Sequence, residues 1–219
     1  MSKNEIETQQ QKKKLEKLQS MEEFCDLVQF ARNLTEEGYF SQGFEILKGE
    51  DGLGAEDGES GLRSWVRGGA GDAQKDVEDF FDKFIPFANA NGTGSFYALW
   101  IDDAEKPLNQ LPVIVFGDEG GVFVVAENFV QLLHLLTYDD EISVDCGEGV
   151  YFCRYEYEES DNLRHYLQWV KQNYDLNPVT ESEETEKIIK AAQEKYTARF
   201  NAWFSQYFDL KDVGIVPWE

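Results

Sequence analysis

The chain has 219 residues, 42% of them apolar and 14% aromatic, with 20 basic against 43 acidic side chains and a formal net charge of −23. That aromatic content excludes a disordered chain, and the length suits one large domain, alone or with an appendage. The charge disfavours DNA, RNA and anionic membranes as ligands, which are themselves polyanionic, and permits a basic protein as partner, with simple solubility or a salt-adapted surface as the other reading.

Residues 1–19 are polar and read as an N-terminal extension, with residues 20–219 as one domain. The extension holds no apolar signal core, and no run approaches the roughly 20 apolar residues of a membrane helix. Cys25, Cys146 and Cys153 form a sparse, odd set. That suits a reducing cytoplasm better than a disulfide framework.

Ser20 and Glu23 make a capping-box pattern, and Phe24, Leu27, Val28, Ala31 and Leu34 follow at helical spacing. The pattern predicts a helix over 20–36, ended near Gly38. The glycine-rich segment 49–71 is expected to be a loop, anchored at Trp65 and Val66. Asp72 is expected to cap a helix that carries Val77, Phe80, Phe81 and Phe84 and ends at Pro86.

Phe96–Ile101 is almost wholly apolar and predicts a central strand covered on both sides. Trp100 within it is read as core. Val113–Phe116 and Val122–Val125 predict two further strands around a GDEGG turn. Glu127–Leu136 is predicted as a helix, then Ile142–Val144 and Val150–Tyr157 as strands. Ser160 is expected to cap a helix bearing Leu163, Tyr166, Leu167, Val170 and Tyr174. Thr180 and Glu183 are expected to cap the last one, whose apolar stripe is Ile189, Ala192, Tyr196, Phe200, Trp203 and Tyr207. The element order predicts an α+β fold: a single mixed β-sheet flanked by helices, with N-terminal and long C-terminal helices.

Catalytic spacings are missing. Cys146 and Cys153 lie too far apart for a structural zinc pair, and His134 and His165 fall in predicted helices. No GxSxG elbow, GxxxxGK[ST] loop or GxGxxG turn occurs. GEDGLGAEDGES lacks the EF-hand alternation for calcium. No cofactor, metal or catalytic residue is expected.

What remains is surface. Asp102 and Asp103 follow the central strand, Asp118 and Glu119 tip the GDEGG turn, and Tyr138, Asp139, Asp140 and Glu141 follow the helix. If neighbouring strands bring the first two clusters to one edge, the eight residues form a negative rim with an aromatic anchor for a basic protein.

The run FIPFANANGTGSFYALWIDD, then LPVIVFGDEGGVFVVAENFVQLLHLL, resembles the SUKH superfamily. The matching features are Pro86, Asn91-Gly92, Gly94, Pro112-Val113, and Ala126-Glu127-Asn128-Phe129 with Leu132-Leu133. The resemblance covers about 84–136. Segment 49–71 and the long final helix lie outside the pattern. The resemblance implies a protein-binding fold without a shared catalytic site, whose bacterial members include cytoplasmic immunity proteins against secreted toxins, often basic nucleases. The function expected is therefore a non-catalytic, cytoplasmic immunity protein that occludes the active site of a basic toxin. The alternatives are a regulatory scaffold for a resident protein and a hydrolase that uses a carboxylate pair.

Overall fold

The computed structural model describes residues 12–34, 37–47, 56–69, 73, 77–145, 149–153 and 158–214. Asp72, Cys146 and 154–157, on which parts of the sequence expectation fall, lie outside them.

The described residues begin with helix α1 (12–19) and α2 (Glu22–Arg32), then strand β1 (Glu45–Ile46), α3 (Glu56–Gly69) and the short α4 (Glu78–Phe81). Strands β2 (Phe84–Asn89), β3 (Phe96–Trp100), β4 (Val113–Phe116) and β5 (Val122–Ala126) follow, and α5 (Phe129–Leu135) closes that unit. A hairpin of β6 (Glu141–Asp145) and β7 (Gly149–Cys153) leads to α6 (Leu163–Tyr174) and α7 (Ser182–Phe204).

The fold class is α+β, with helices on both faces of a five-stranded sheet ordered β1-β2-β3-β4-β5. Every pairing is antiparallel, where the sequence suggested a mixed sheet, and β6-β7 form a second, two-stranded sheet. For β2–β3 and β4–β5 the reason is connection length. Ala90–Ser95 and Gly117–Gly121 are tight hairpin turns, whereas a parallel neighbour needs a crossover of a dozen or more residues.

Alternation along β3 and β4 sorts the core. Phe96, Ala98, Trp100, Ile114 and Phe116 face α3, α4 and α7, where Phe80, Phe84, Phe200 and Phe204 complete an aromatic layer. Tyr97, Leu99, Val113 and Val115 face α2, α5 and α6, against Phe24, Leu27, Phe129 and Tyr166. The central strand is thus covered on both faces, and Trp100 is core, 2% exposed. The stripe on α7 faces this core through Ala192, Tyr196, Phe200 and Phe204. Trp203 is half-buried, and Tyr207 lies past the helix end.

The glycine-rich segment corrects the sequence reading. Much of it is helix α3 rather than loop. Glycine inside a helix costs about 1 kcal/mol relative to alanine, but packing overrides propensity. Leu62, Trp65 and Val66, at i, i+3 and i+4, are buried against the sheet. The Trp65 indole N–H donates to the Gly117 carbonyl at 2.8 Å. Arg63 lies over the Phe81 ring at 4.1 Å and pairs with Glu78.

Phe84 and Pro86 also move. They belong to β2 and not to a helix, and the register of β2 against β3 shifts between Pro86 and Ala88. A bulge tolerates a residue without an N–H. The helix ends differ from the capping boxes. Met21, Asn162 and Glu181 occupy the N-cap positions of α2, α6 and α7, none with a side-chain cap bond. The described part of the N-terminal extension is docked: Leu18 is 1% exposed, and Lys14 Nζ donates to the Phe81 carbonyl at 2.7 Å.

Candidate functional site

The eight acidic and aromatic residues singled out in the sequence do not form one rim. Phe96 of β3 pairs with Phe116 of β4, so Asp118 lies at the start of β3 and Asp102 at its end. The two clusters are separated by a five-residue strand, about 17 Å at about 3.4 Å per residue. An antiparallel hairpin makes this unavoidable.

Asp102 has a fully buried carboxylate that pairs with Arg199 and with Lys106, the latter at 2.7 Å. Arg199, Lys106 and Lys195 all lie over the Tyr196 ring, at 5.3, 5.4 and 5.1 Å, and Lys195 pairs with Glu127. This end of β3 is therefore locally balanced in charge. Asp103 is exposed and accepts the Glu105 N–H at 3.0 Å. At the other end, Asp118 accepts Ser95 Oγ at 2.7 Å and Thr93 Oγ1 at 3.0 Å, and Glu119 is exposed at the turn. Glu141 accepts the Gly92 N–H at 2.7 Å. Asp118 and Glu141 thus hold the β2–β3 turn from two sides.

Tyr138 is core, edge-on to Phe152 with centroids 6.0 Å apart, and Asp140 is buried. Asp139 adopts the left-handed conformation at φ 58°, which asparagine and aspartate tolerate better than most residues. Its carboxylate accepts the Gln42 N–H at 3.0 Å and the Ser160 N–H at 2.9 Å. Burial raises its pKa above the usual carboxylate value, and the Glu159 charge adds to the rise, while the bonds from Ser160 and Gln42 oppose it. The Asn162 N–H donates to the Tyr39 carbonyl at 3.1 Å, and Gln42 Nε2 donates to the Glu158 carbonyl at 2.9 Å. Three segments, 38–42, 139–141 and 158–162, are therefore sewn together around Asp139.

What this junction presents is Tyr39. Tyr39 is 44% exposed, and among the described residues Tyr151 on β7, 39% exposed, is the other large aromatic so placed. Glu37 precedes it, exposed, and Asp161 lies so close to Gly38 that a Cβ there would come within 2.2 Å of its Oδ2. Gly38 has φ 123°, so glycine is needed on both counts. Glu158 and Glu159 are exposed on the adjoining segment. Beside Tyr39 runs a groove of about 460 Å³ between the end of α2 and β1, floored by Ala31, Leu34, Phe44 and Ile46 and bordered by Glu37 and Glu45.

A larger groove of about 670 Å³ follows α7 past Val150 and Ile189. Its borders mix Glu186, Lys190 and Glu194, so it carries no strong sign of charge. Among the described residues, no group of three or more His, Cys, Asp or Glu side chains is placed to hold a metal ion. His134 Nε2 is hydrogen-bonded to the Asn177 carbonyl at 2.9 Å, and His165 is exposed on α6. Among the described residues, no helix is long and apolar enough to cross a membrane.

Tyr39 and its loop escaped the sequence reading. The residue follows Gly38, where the sequence suggested a helix end although α2 stops at Arg32, in a stretch without periodicity, and nothing local separates an exposed tyrosine from a core one. Comparison with protein-family models, with curated proteins and with solved structures finds no match.

Proposed function

We propose that this chain is a non-catalytic, cytoplasmic protein-binding domain that holds a basic partner, and that the partner is a toxin whose active site it occludes. The observation that carries this reading is the exposed Tyr39 among Glu37, Glu158, Glu159 and Asp161, beside an apolar groove. An aromatic anchor supplies contact area at low entropic cost, and surrounding carboxylates steer a cationic partner and fix its orientation. A net charge of −23 extends that attraction over the whole encounter. The resemblance of 84–136 to the SUKH superfamily supports the immunity role, since many bacterial members of that group protect a cell from its own toxin.

The test is co-expression. Proteins retained by the tagged chain from a lysate of its source are identified, and each is expressed alone and with this chain. The reading expects one basic protein that arrests growth alone and is harmless with this chain present. Retention of a resident, non-toxic protein overturns the toxin assignment and leaves a regulatory scaffold. Retention of nothing basic overturns the binding role.

A further inference from the structure

The proposed binding face ends at the margin of the five-stranded sheet. Strand β1 pairs only with β2, and among the described residues no strand lies on its other side. The register is Glu45 to Asn89 and Ile46 to Ala88, and the Leu47 N–H donates to the Phe87 carbonyl at 3.0 Å. In an antiparallel ladder, bonded and non-bonded pairs alternate. Leu47 is therefore in a bonded pair and Ile46 in a non-bonded one. The N–H and C=O of Ile46 point away from β2, and Ile46 also lines the groove that Tyr39 borders.

We infer that this groove takes an extended, basic peptide segment of the partner, added as a sixth strand along the open edge of β1. The inference rests on the protein-binding reading above and specifies its mode. Three features favour it over a helix or a globular knob. The Ile46 backbone supplies a donor and an acceptor that suit an extended chain. Ala31, Leu34 and Ile46, all half-buried, give the alternate side chains of that chain an apolar floor. Glu37, exposed at the groove's border, matches lysine or arginine at a position between. An exposed edge is otherwise a liability that invites pairing with other chains, and this one is kept to two residues in a recess.

The probe is a fluorescein-labelled ten-residue peptide of alternating lysine and valine. Its comparators are two versions N-methylated on one or the other alternate set of amides. Anisotropy titration at low salt gives affinity, and amide chemical shifts of the ¹⁵N-labelled full chain give location. The expected result is that one methylated version binds about tenfold more weakly than the parent, as the loss of one or two backbone bonds implies. The Ile46 amide should shift on binding of the parent peptide. Ile46→Pro should reproduce the loss, because a proline at an open edge removes only the outward N–H.

Equal binding of all three peptides, with shifts spread over acidic surface, overturns strand addition and leaves acidic capture standing. Shifts confined to the α7 groove overturn the location. No binding of the parent peptide overturns this inference alone. The broader reading is judged separately, by whether a basic partner is retained in the co-expression test.

Discussion

The carboxylate of Asp139 accepts the backbone N–H of Gln42 at 3.0 Å, across 97 residues of sequence. With its second bond, to the Ser160 N–H, it fixes the loop that carries Tyr39. A residue expected to be displayed to a partner instead holds the displaying loop in place. Asp139→Ala would strand two backbone donors and put alanine in the left-handed region, costing about 2–4 kcal/mol in stability. Thermal unfolding measures that cost. The partner's association should also weaken, because the loop is no longer held.

The same carboxyl predicts a pH dependence with a definite sign. Its pKa is raised by burial above the ordinary 3.8, so between 3.8 and the folded value the folded state binds more protons than the unfolded one. Its contribution to stability is therefore greatest below 3.8, falls as pH rises through the folded pKa, and is constant above it. The stability of the wild type minus that of Asp139→Asn should be larger at pH 3 than at pH 7. Urea denaturation at both pH values checks this, and a difference that grows with pH would contradict it.

Asp102 behaves differently from an interaction residue. Its side chain is buried, while its partners Lys106 and Arg199 keep 27% and 50% of their side-chain exposure. Asp102→Asn leaves those two cations partly hydrated, so the loss is limited to about 1–2 kcal/mol of stability. Partner association should be unchanged. Charge reversal at Glu37, by contrast, should slow association severalfold at low salt, with little effect on stability. Stopped-flow kinetics of the two variants separates a structural carboxylate from a steering one.

Helix α3 is held to the sheet by a directional bond as well as by apolar burial. Trp65→Phe keeps most of the apolar area but leaves the buried Gly117 carbonyl without the 2.8 Å indole bond. The expected loss is about 1–3 kcal/mol. Gly117 itself has no room to vary: a Cβ would fall 2.2 Å from the Gly120 carbonyl and 2.7 Å from Val144. Gly117→Ala must therefore shift the hairpin turn or the β6 strand above it, and should be more destabilising than Trp65→Phe.

Elements whose burial follows a simple period were legible in the sequence. The apolar run at Phe96–Trp100, strands β4 and β5 and the stripe of α7 were all legible, whereas β2 was read as the end of a helix. Helix α3 was not legible either, because its glycines outweighed the short i, i+3, i+4 pattern of Leu62, Trp65 and Val66. That pattern stabilises a helix only once the sheet is there to receive it. The position of the acids was hidden for a different reason. Whether Asp102, Asp118 and Glu141 face solvent or hold a turn depends on strand register and on partners as far as 97 residues away in sequence. Tyr39 was hidden too, since its exposure is set by contacts to 158–162.

The central claim is that the surface around Tyr39 holds a basic partner. The most direct measurement is a paired capture from a lysate of the protein's source, using the wild type and a Tyr39→Ala/Glu37→Lys variant shown to fold by circular dichroism. Both are washed at 0.1 M and 1 M salt, over which the Debye length falls from about 10 to about 3 Å. The account predicts one basic protein retained by the wild type at low salt, and lost both at high salt and with the variant. Equal retention of that protein by the variant would contradict it.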